Sequence, residues 1–268
     1  MADNHGKEIA SGERFEFGAN WRRFLVTLNE AQIVQAENSL CEFLGAANLA
    51  GKRFLDAGSG SGLFSLAARR LGATVHSFDY DPQSVACTRG LKNKYFANDE
   101  NWIIDEASVL DQDYLSRLGK FDIVYSWGVL HHTGSMWKAL GNVDSPVADD
   151  GQLFVAIYND QGWISRYWNF IKRCYANNAI FRTLVIMAHV PYLGSRVAVR
   201  AITGRLDQER GMSMWYDLID WLGGYPFEVA RPDDIFKFYH AKGFNLAKLK
   251  TCGGRHGCNE FVFHKVSA

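Results

Sequence analysis

The run from Arg53 to Gly72 constrains the fold more than any other part of the chain. Arg53 introduces Phe54 and Leu55, which read as the end of a buried strand; Asp56 closes it, and Gly58, Gly60 and Gly62 follow at alternate positions. Glycines lack Cβ, so a ligand can come against bare backbone there. From Leu63 to Leu71 apolar residues recur at helical spacing, and Gly72 stands where such a helix stops. Strand, glycine turn and helix make the first half of a nucleotide-type βαβ unit, which predicts an α/β fold on a mostly parallel sheet.

The spacing also bears on which nucleotide. A dinucleotide fingerprint needs glycines at positions one, three and six; here the sixth position is Leu63 and the third glycine comes one residue early, at Gly62. An NAD-dependent oxidoreductase is thereby disfavoured. An acidic residue followed by x-Gly-x-Gly-x-Gly resembles the first motif of class I S-adenosylmethionine (SAM)-dependent methyltransferases, and Asp56-Ala-Gly58-Ser-Gly60-Ser-Gly62 fits it throughout. The next strand pattern, Ala73 to Phe78, ends in Asp79. A carboxylate at that tip can accept hydrogen bonds from both ribose hydroxyls of a nucleoside, and Tyr80 can lie against the adenine.

Composition sets the outer limits. A chain of 268 residues with 47% hydrophobic content suits one core with additions, and 29 basic against 29 acidic residues point to no nucleic-acid partner. The first residues lack an apolar signal core, no uncharged apolar run reaches about 18 residues, and five cysteines are mostly scattered. A cytoplasmic protein is expected. The organisation expected is a helical extension over 1–50, a cofactor-binding core over 51–160, an inserted helical lid over 161–224, and the rest of the core over 225–268. In the extension, Phe15, Phe17 and Trp21 form an aromatic group that either packs onto the core or closes over the cofactor.

After the second strand, Asp81-Pro82 starts a helix that runs to about Phe96, and Trp102-Ile103-Ile104 begins a third strand. The resemblance implies that Ser108 and Val109 in the loop beyond it meet the adenine. A fourth strand, Phe121 to Ser126, leads into Trp127-Gly-Val-Leu-His131-His132, similar to the Val-Leu-His-His segment that follows the fourth strand in this family and lies beside the transferred methyl. The ubiquinone-biosynthesis O-methyltransferases and related small-molecule enzymes carry such a segment. The implied fold is Rossmann-like, seven-stranded, with helices on both faces, and the implied activity is methyl transfer to an oxygen of a small molecule. His132 and His131 are candidate bases, since an unperturbed imidazole titrates near pH 6.5. Glu228, Asp217, Asp220 and Tyr225 are alternatives within an aromatic-rich stretch. A SAM-binding module without turnover would need the same glycines and Asp79, so the motifs alone do not separate the two.

The insertion has a character of its own. Trp163, Ile164, Tyr167, Trp168, Ile171 and Tyr175 are expected on one helix face, with Arg166, Asn169 and Arg173 on another. Across 161–212 there are eight Lys/Arg against two acidic residues. Arg166, Arg196 and Arg200, with Asp217 and Tyr225, are therefore candidates for holding an anionic or lipophilic acceptor; a peripheral membrane contact and a solvated face explain the same charges. No Pro-Pro occurs anywhere, which argues against the Asn/Asp-Pro-Pro-Tyr type of amine methylation. Cys252, His256 and Cys258 leave a zinc tetrahedron one ligand short, so no metal is expected.

Overall fold

The computed structural model describes residues 2–177, 181–189, 195, 223–254 and 257–267. Seven strands form one sheet in the order β3-β2-β1-β4-β5-β7-β6. They are β1 (Arg53–Ala57), β2 (Thr74–Asp79), β3 (Trp102–Glu106), β4 (Phe121–Trp127), β5 (Val147–Tyr158), β6 (Phe244–Lys250) and β7 (Cys258–Lys265). β1 to β5 run parallel, whereas β7 lies antiparallel between β5 and β6. The seven-stranded Rossmann-like expectation holds. β5 begins earlier than expected, because Val147 already pairs with Phe121 and the Asp150 turn lies within the strand rather than before it.

Alternation along the strands builds two cores. Phe54, Ile123, Tyr125 and Phe154 point to one face, where they meet α2 (Phe17–Thr27), α3 (Glu30–Leu44) and α4 (Leu63–Arg70). Leu55, Val124, Leu153 and Val155 point to the other, against α7 (Met136–Val143) and α9 (Pro232–His240). α3 starts at a capping box, Asn29 with Gln32, and ends on left-handed Gly45. α5 (Pro82–Tyr95) starts where Asp81 accepts the Gln83 N–H. Of the remaining helices, α1 (Ala2–Ala10) begins the N-terminal extension, α6 (Gln112–Arg117) follows β3, and α8 (Trp163–Asn177) follows β5. A third, small cluster joins Trp168, Ile171 and Tyr175 of α8 to Val185 and Phe227.

One polar chain crosses the interior. The Trp102 indole N–H donates to Ser77 Oγ at 2.8 Å, Ser77 donates to Ser65 Oγ at 2.8 Å, and Ser65 donates to the Asp56 carboxyl. All four residues are buried. Burial pushes the Asp56 carboxyl up to about 7, against the Ser65 hydrogen bonds that favour its ionised form. Each member is the partner of the next, which is what makes burial tolerable. Ser65→Ala should therefore lower unfolding free energy by about 2–3 kcal/mol in urea titration, because it strands a donor and an acceptor at once. In a double-mutant cycle with Ser77→Ala the two losses should fail to add, and additivity would show that the chain does not act as a unit.

Candidate functional site

The sheet reverses its order between β1 and β4, and open α/β sheets bind ligands at the carboxyl edge beside such a point. At the end of β1 the glycine loop takes left-handed conformations, φ +87° at Gly58, +54° at Gly60 and +81° at Gly62. A Cβ on Gly62 would fall 2.8 Å from Thr88 Cα, so this glycine lets α4 start against α5. A Cβ on Gly58 would fall 2.4 Å from the Val129 side chain, and one on Gly60 would fall 3.1 Å from the Trp21 indole nitrogen. What lies against the bare backbone here is thus the segment after β4 and an aromatic ring of the N-terminal extension.

Asp79 fastens the loop. Its Oδ2 accepts the Gly60 N–H at 2.8 Å and its Oδ1 accepts the Asp81 N–H at 2.9 Å. The Tyr80 N–H also donates to this carboxylate, so of its roughly four lone-pair positions one remains open for a ribose hydroxyl. Desolvation is the main cause that pushes this carboxyl up to about 6, with backbone N–H donors opposing it. On this chemistry the loop and Asp79 fit SAM.

The other cofactor candidates have varied surroundings. Tyr80 stands between His5, 5.3 Å away edge-on, and Arg14, 5.0 Å over its ring, while its hydroxyl donates to Glu8 Oε1 at 3.1 Å. Ser108 Oγ accepts the Leu110 N–H at 3.1 Å. The Val109 side chain is buried in the core, and its carbonyl accepts from the Asn142 amide at 2.9 Å. Trp127 turns its indole N–H to Glu260 Oε1, 3.1 Å away on β7. The structure brings Gly60, Asp79 and Trp21 together; it holds Trp127 among the aromatic rings of the α3 and α4 face.

Past β4, Leu130–His132 form a short 3₁₀ turn that buries both imidazoles. His132 Nδ1 lies 2.7 Å from the Pro226 carbonyl. A carbonyl can only accept, so Nδ1 carries the proton and Nε2 keeps its lone pair. Burial drives His132 down to about 3, with the charges of Lys172 and Arg14 adding to the effect. The expected titration near neutrality is therefore corrected: this ring stays neutral at physiological pH. His131 is held lower than usual as well, first by burial and then by its neighbours His132 and Lys172. It is fully buried, lies tilted against Tyr158 with ring centroids 4.0 Å apart, and leaves Nε2 without a partner among the described residues.

An aromatic enclosure surrounds this pair. Phe17 lies 4.9 Å from His132, and Phe227 lies 5.2 Å from Tyr158. The extension crosses here too: Arg14 donates to the His132 carbonyl at 3.1 Å, and the Phe15 N–H donates to the Tyr225 carbonyl at 2.9 Å. Tyr225 contributes backbone to this crossing. Glu228 accepts the Met136 N–H on both carboxyl oxygens, at 3.1 and 3.0 Å, and so caps α7. That role is structural.

On the insertion side, Arg166 is exposed and lines a cleft of about 400 Å³ with Asp160, Ser165, Asn169 and Phe227. Arg196, Arg200, Asp217 and Asp220 lie outside the described residues, as does His256. Among the described residues no group of histidine, cysteine and carboxylate side chains could hold a metal. The expected single apolar face of α8 divides in two: Trp168, Ile171 and Tyr175 pack inward, while Trp163, Tyr167 and Phe170 face outward. Sequence reasoning missed Lys172, which is fully buried with its Nζ 4.9 Å over the Phe227 ring. Its signal was available, since at 100° per residue Lys172 falls opposite Trp163, on the buried side.

Comparison with known proteins agrees with this geometry. Of curated proteins, the chain resembles ribosomal protein L11 methyltransferase from Methylococcus capsulatus, 40% identical over 77 residues, 28% of this chain and 26% of that protein. The same enzyme from Helicobacter hepaticus is 29% identical over 119 residues, 35% of this chain and 38% of that protein. The chain thus spans well under half the length of these relatives. Among solved structures, magnesium protoporphyrin IX methyltransferase from Synechocystis with bound SAH superposes with TM-score 0.56 at 16% identity, covering 92% of this chain and 93% of that one. A putative methyltransferase from Bacillus halodurans gives TM-score 0.53 at 11% identity, covering 86% and 99%. These likenesses establish the fold. The family model described as a methyltransferase domain matches residues 31–218, well over half of the chain, which sets aside the oxidoreductase alternative. The chain belongs to that family and is a class I SAM-dependent methyltransferase.

Proposed function

We propose that this enzyme methylates an acidic oxygen, a phenol, enol or carboxylate, on a small acceptor bound between the His131–His132 turn and α8. The observation that carries the reading is the His132 ring, locked by Pro226 in the tautomer that presents Nε2 as an acceptor within an aromatic enclosure. Bound SAM supplies an electrophilic methyl group, and the glycine loop with Asp79 would hold it at the β1–β4 switch point.

The pKa decides what kind of acceptor suits the site. A base whose conjugate acid titrates near 3 does not strip a proton from an alcohol at neutral pH. It can accept the hydrogen bond of an acidic hydroxyl and take that proton at Nε2 as the O–CH3 bond forms and the C–S bond breaks, because methylation makes the hydroxyl far more acidic than the imidazolium. The buried ammonium of Lys172, whose field helps hold both histidines neutral, would by the same sign favour an anionic oxygen beside them. Phe17, Tyr158 and Phe227 would keep water from the transfer. Names among the relatives cover another acceptor, the ribosomal protein L11 of the L11 enzymes. The proposal is therefore tested by measuring SAH release with phenols, carboxylic acids, amines and ribosomal protein L11. Turnover on amines or L11 alone would overturn it.

The site residues give two further expectations. Asp79→Ala should weaken SAM binding at least tenfold by calorimetry, since charge-assisted bonds contribute about 1.5–3 kcal/mol each. Ionised Asp79 is the better acceptor, so wild-type affinity should rise as pH rises through about 6; Asp79→Asn should flatten that dependence. A flat wild-type profile from pH 5 to 8 would remove the ribose role, a range taken to span the folded carboxyl's titration. His132→Ala should lower kcat by roughly 10²-fold while changing SAM affinity little. The kcat profile of the wild type should show no histidine inflection between about pH 5.5 and 7.5, because the ring is already neutral there. Such an inflection, lost in His132→Ala, would return this residue to the role of an ordinary general base.

A further inference from the structure

The outer side of α8 and the helical stretch 181–189 carries a feature that methyl transfer does not use. Trp163, Tyr167 and Phe170 lie within an arc of about 60° on α8, and they are 69%, 44% and 64% exposed. Phe181, Leu184 and Met187, spaced three apart on the second helix, are 49%, 55% and 69% exposed. The same two helices turn Trp168, Ile171, Tyr175 and Val185 inward, so their core-facing requirement is already met. Phe181 also has a partner of its own; the other five large apolar side chains, exposed on adjoining segments, are an unusual cost for a monomeric surface, and such a patch marks a contact.

Its charge indicates with what. Residues 161–189 contain no aspartate or glutamate, and Arg166, Arg173 and Arg182 are exposed. On α8 the two arginines flank the outward stripe on the side away from the buried face. Aromatic and apolar side chains bordered by arginine, with no acid among them, are the chemistry of a helix lying at a bilayer interface: rings at headgroup level, guanidinium groups on lipid phosphates. Among the described residues no helix is long and apolar enough to cross a membrane.

We propose that this face docks the enzyme peripherally on an anionic lipid surface. The inference stands apart from the acceptor chemistry above, because it rests on exposure and charge rather than on the site. Arg166 also lines the cleft beside the docking face, so an acceptor carried in the interface would reach the cleft along α8.

The test is sedimentation of the full chain with vesicles of phosphatidylglycerol and phosphatidylcholine, against vesicles of phosphatidylcholine alone. The wild type should pellet with the anionic vesicles at low ionic strength, be released by salt, and stay in solution with the neutral ones. Phe170→Glu with Met187→Glu should abolish pelleting with an unchanged thermal melt, and the triple change Arg166→Ala, Arg173→Ala, Arg182→Ala should weaken it on the order of 100-fold. Val26→Glu, at an 85% exposed apolar residue elsewhere, should pellet as wild type. Failure of the wild type to pellet overturns the proposal. So does pelleting that survives the Phe170/Met187 pair, or self-association of the wild type that the pair abolishes, since the face would then belong to another surface or to a second copy.

Discussion

The hydrogen bonds that Asp79 accepts from Gly60 and Asp81 hold the binding edge together. A glycine loop is conformationally free by composition, and freedom is costly to fix. Tying its middle N–H to a carboxylate at the tip of β2 fixes it, while the Gly58 and Ser59 N–H groups both donate to the Phe78 carbonyl. The loop is thus held from one strand. That strand is in turn tied to β3 and α4 by the Trp102–Ser77–Ser65–Asp56 chain, so the position of the loop depends on a buried polar path as much as on apolar packing.

The N-terminal extension belongs to the site as well as to the core. Gly18 donates its N–H to Asp81 Oδ2 at 2.7 Å, and a Cβ at Gly18 would come within 2.5 Å of that oxygen, so only glycine fits there. This contact sets Trp21 over Gly60 and Phe17 over His132. The sequence posed packing and closure as alternatives for these rings. Phe24 is buried in the core while Trp21 and Phe17 stand over the loop and the turn, so one helix serves both purposes with different faces.

What could be read from the sequence was local. The strand, glycine turn and helix, the carboxylate ending the second strand, and the seven-stranded sheet implied by the family all depend on neighbours in the chain or on a recurring motif. What escaped depends on distant partners. Nothing near Arg14 in sequence indicates that it would bridge Glu8, Tyr80 and the His132 carbonyl. Glu228 read as a catalytic candidate because it is an acid among aromatics, yet it caps a helix that begins 92 residues earlier. Lys172 was counted with the surface charges because a tally ignores helical phase. α8 read as having one apolar face because its outward and inward rings interleave along the sequence; helical phase sets them on different sides, and the inward set packs with Phe227.

The low basicity of His132 links the enclosure to the chemistry. Burial that excludes water from a transferring methyl group also strips the imidazole of the solvation its cation would need. A drier site therefore has a weaker base. An acceptor that must be deprotonated by the enzyme would suffer from every ring added around it, whereas one that arrives as an anion, or ionises readily beside Lys172, would benefit from each. On the proposed reading, the aromatic walls, the neutral histidines and the buried ammonium suit the second kind of acceptor better than the first. An acceptor with an apolar body and an acidic oxygen would satisfy the walls with one part and the cation with the other.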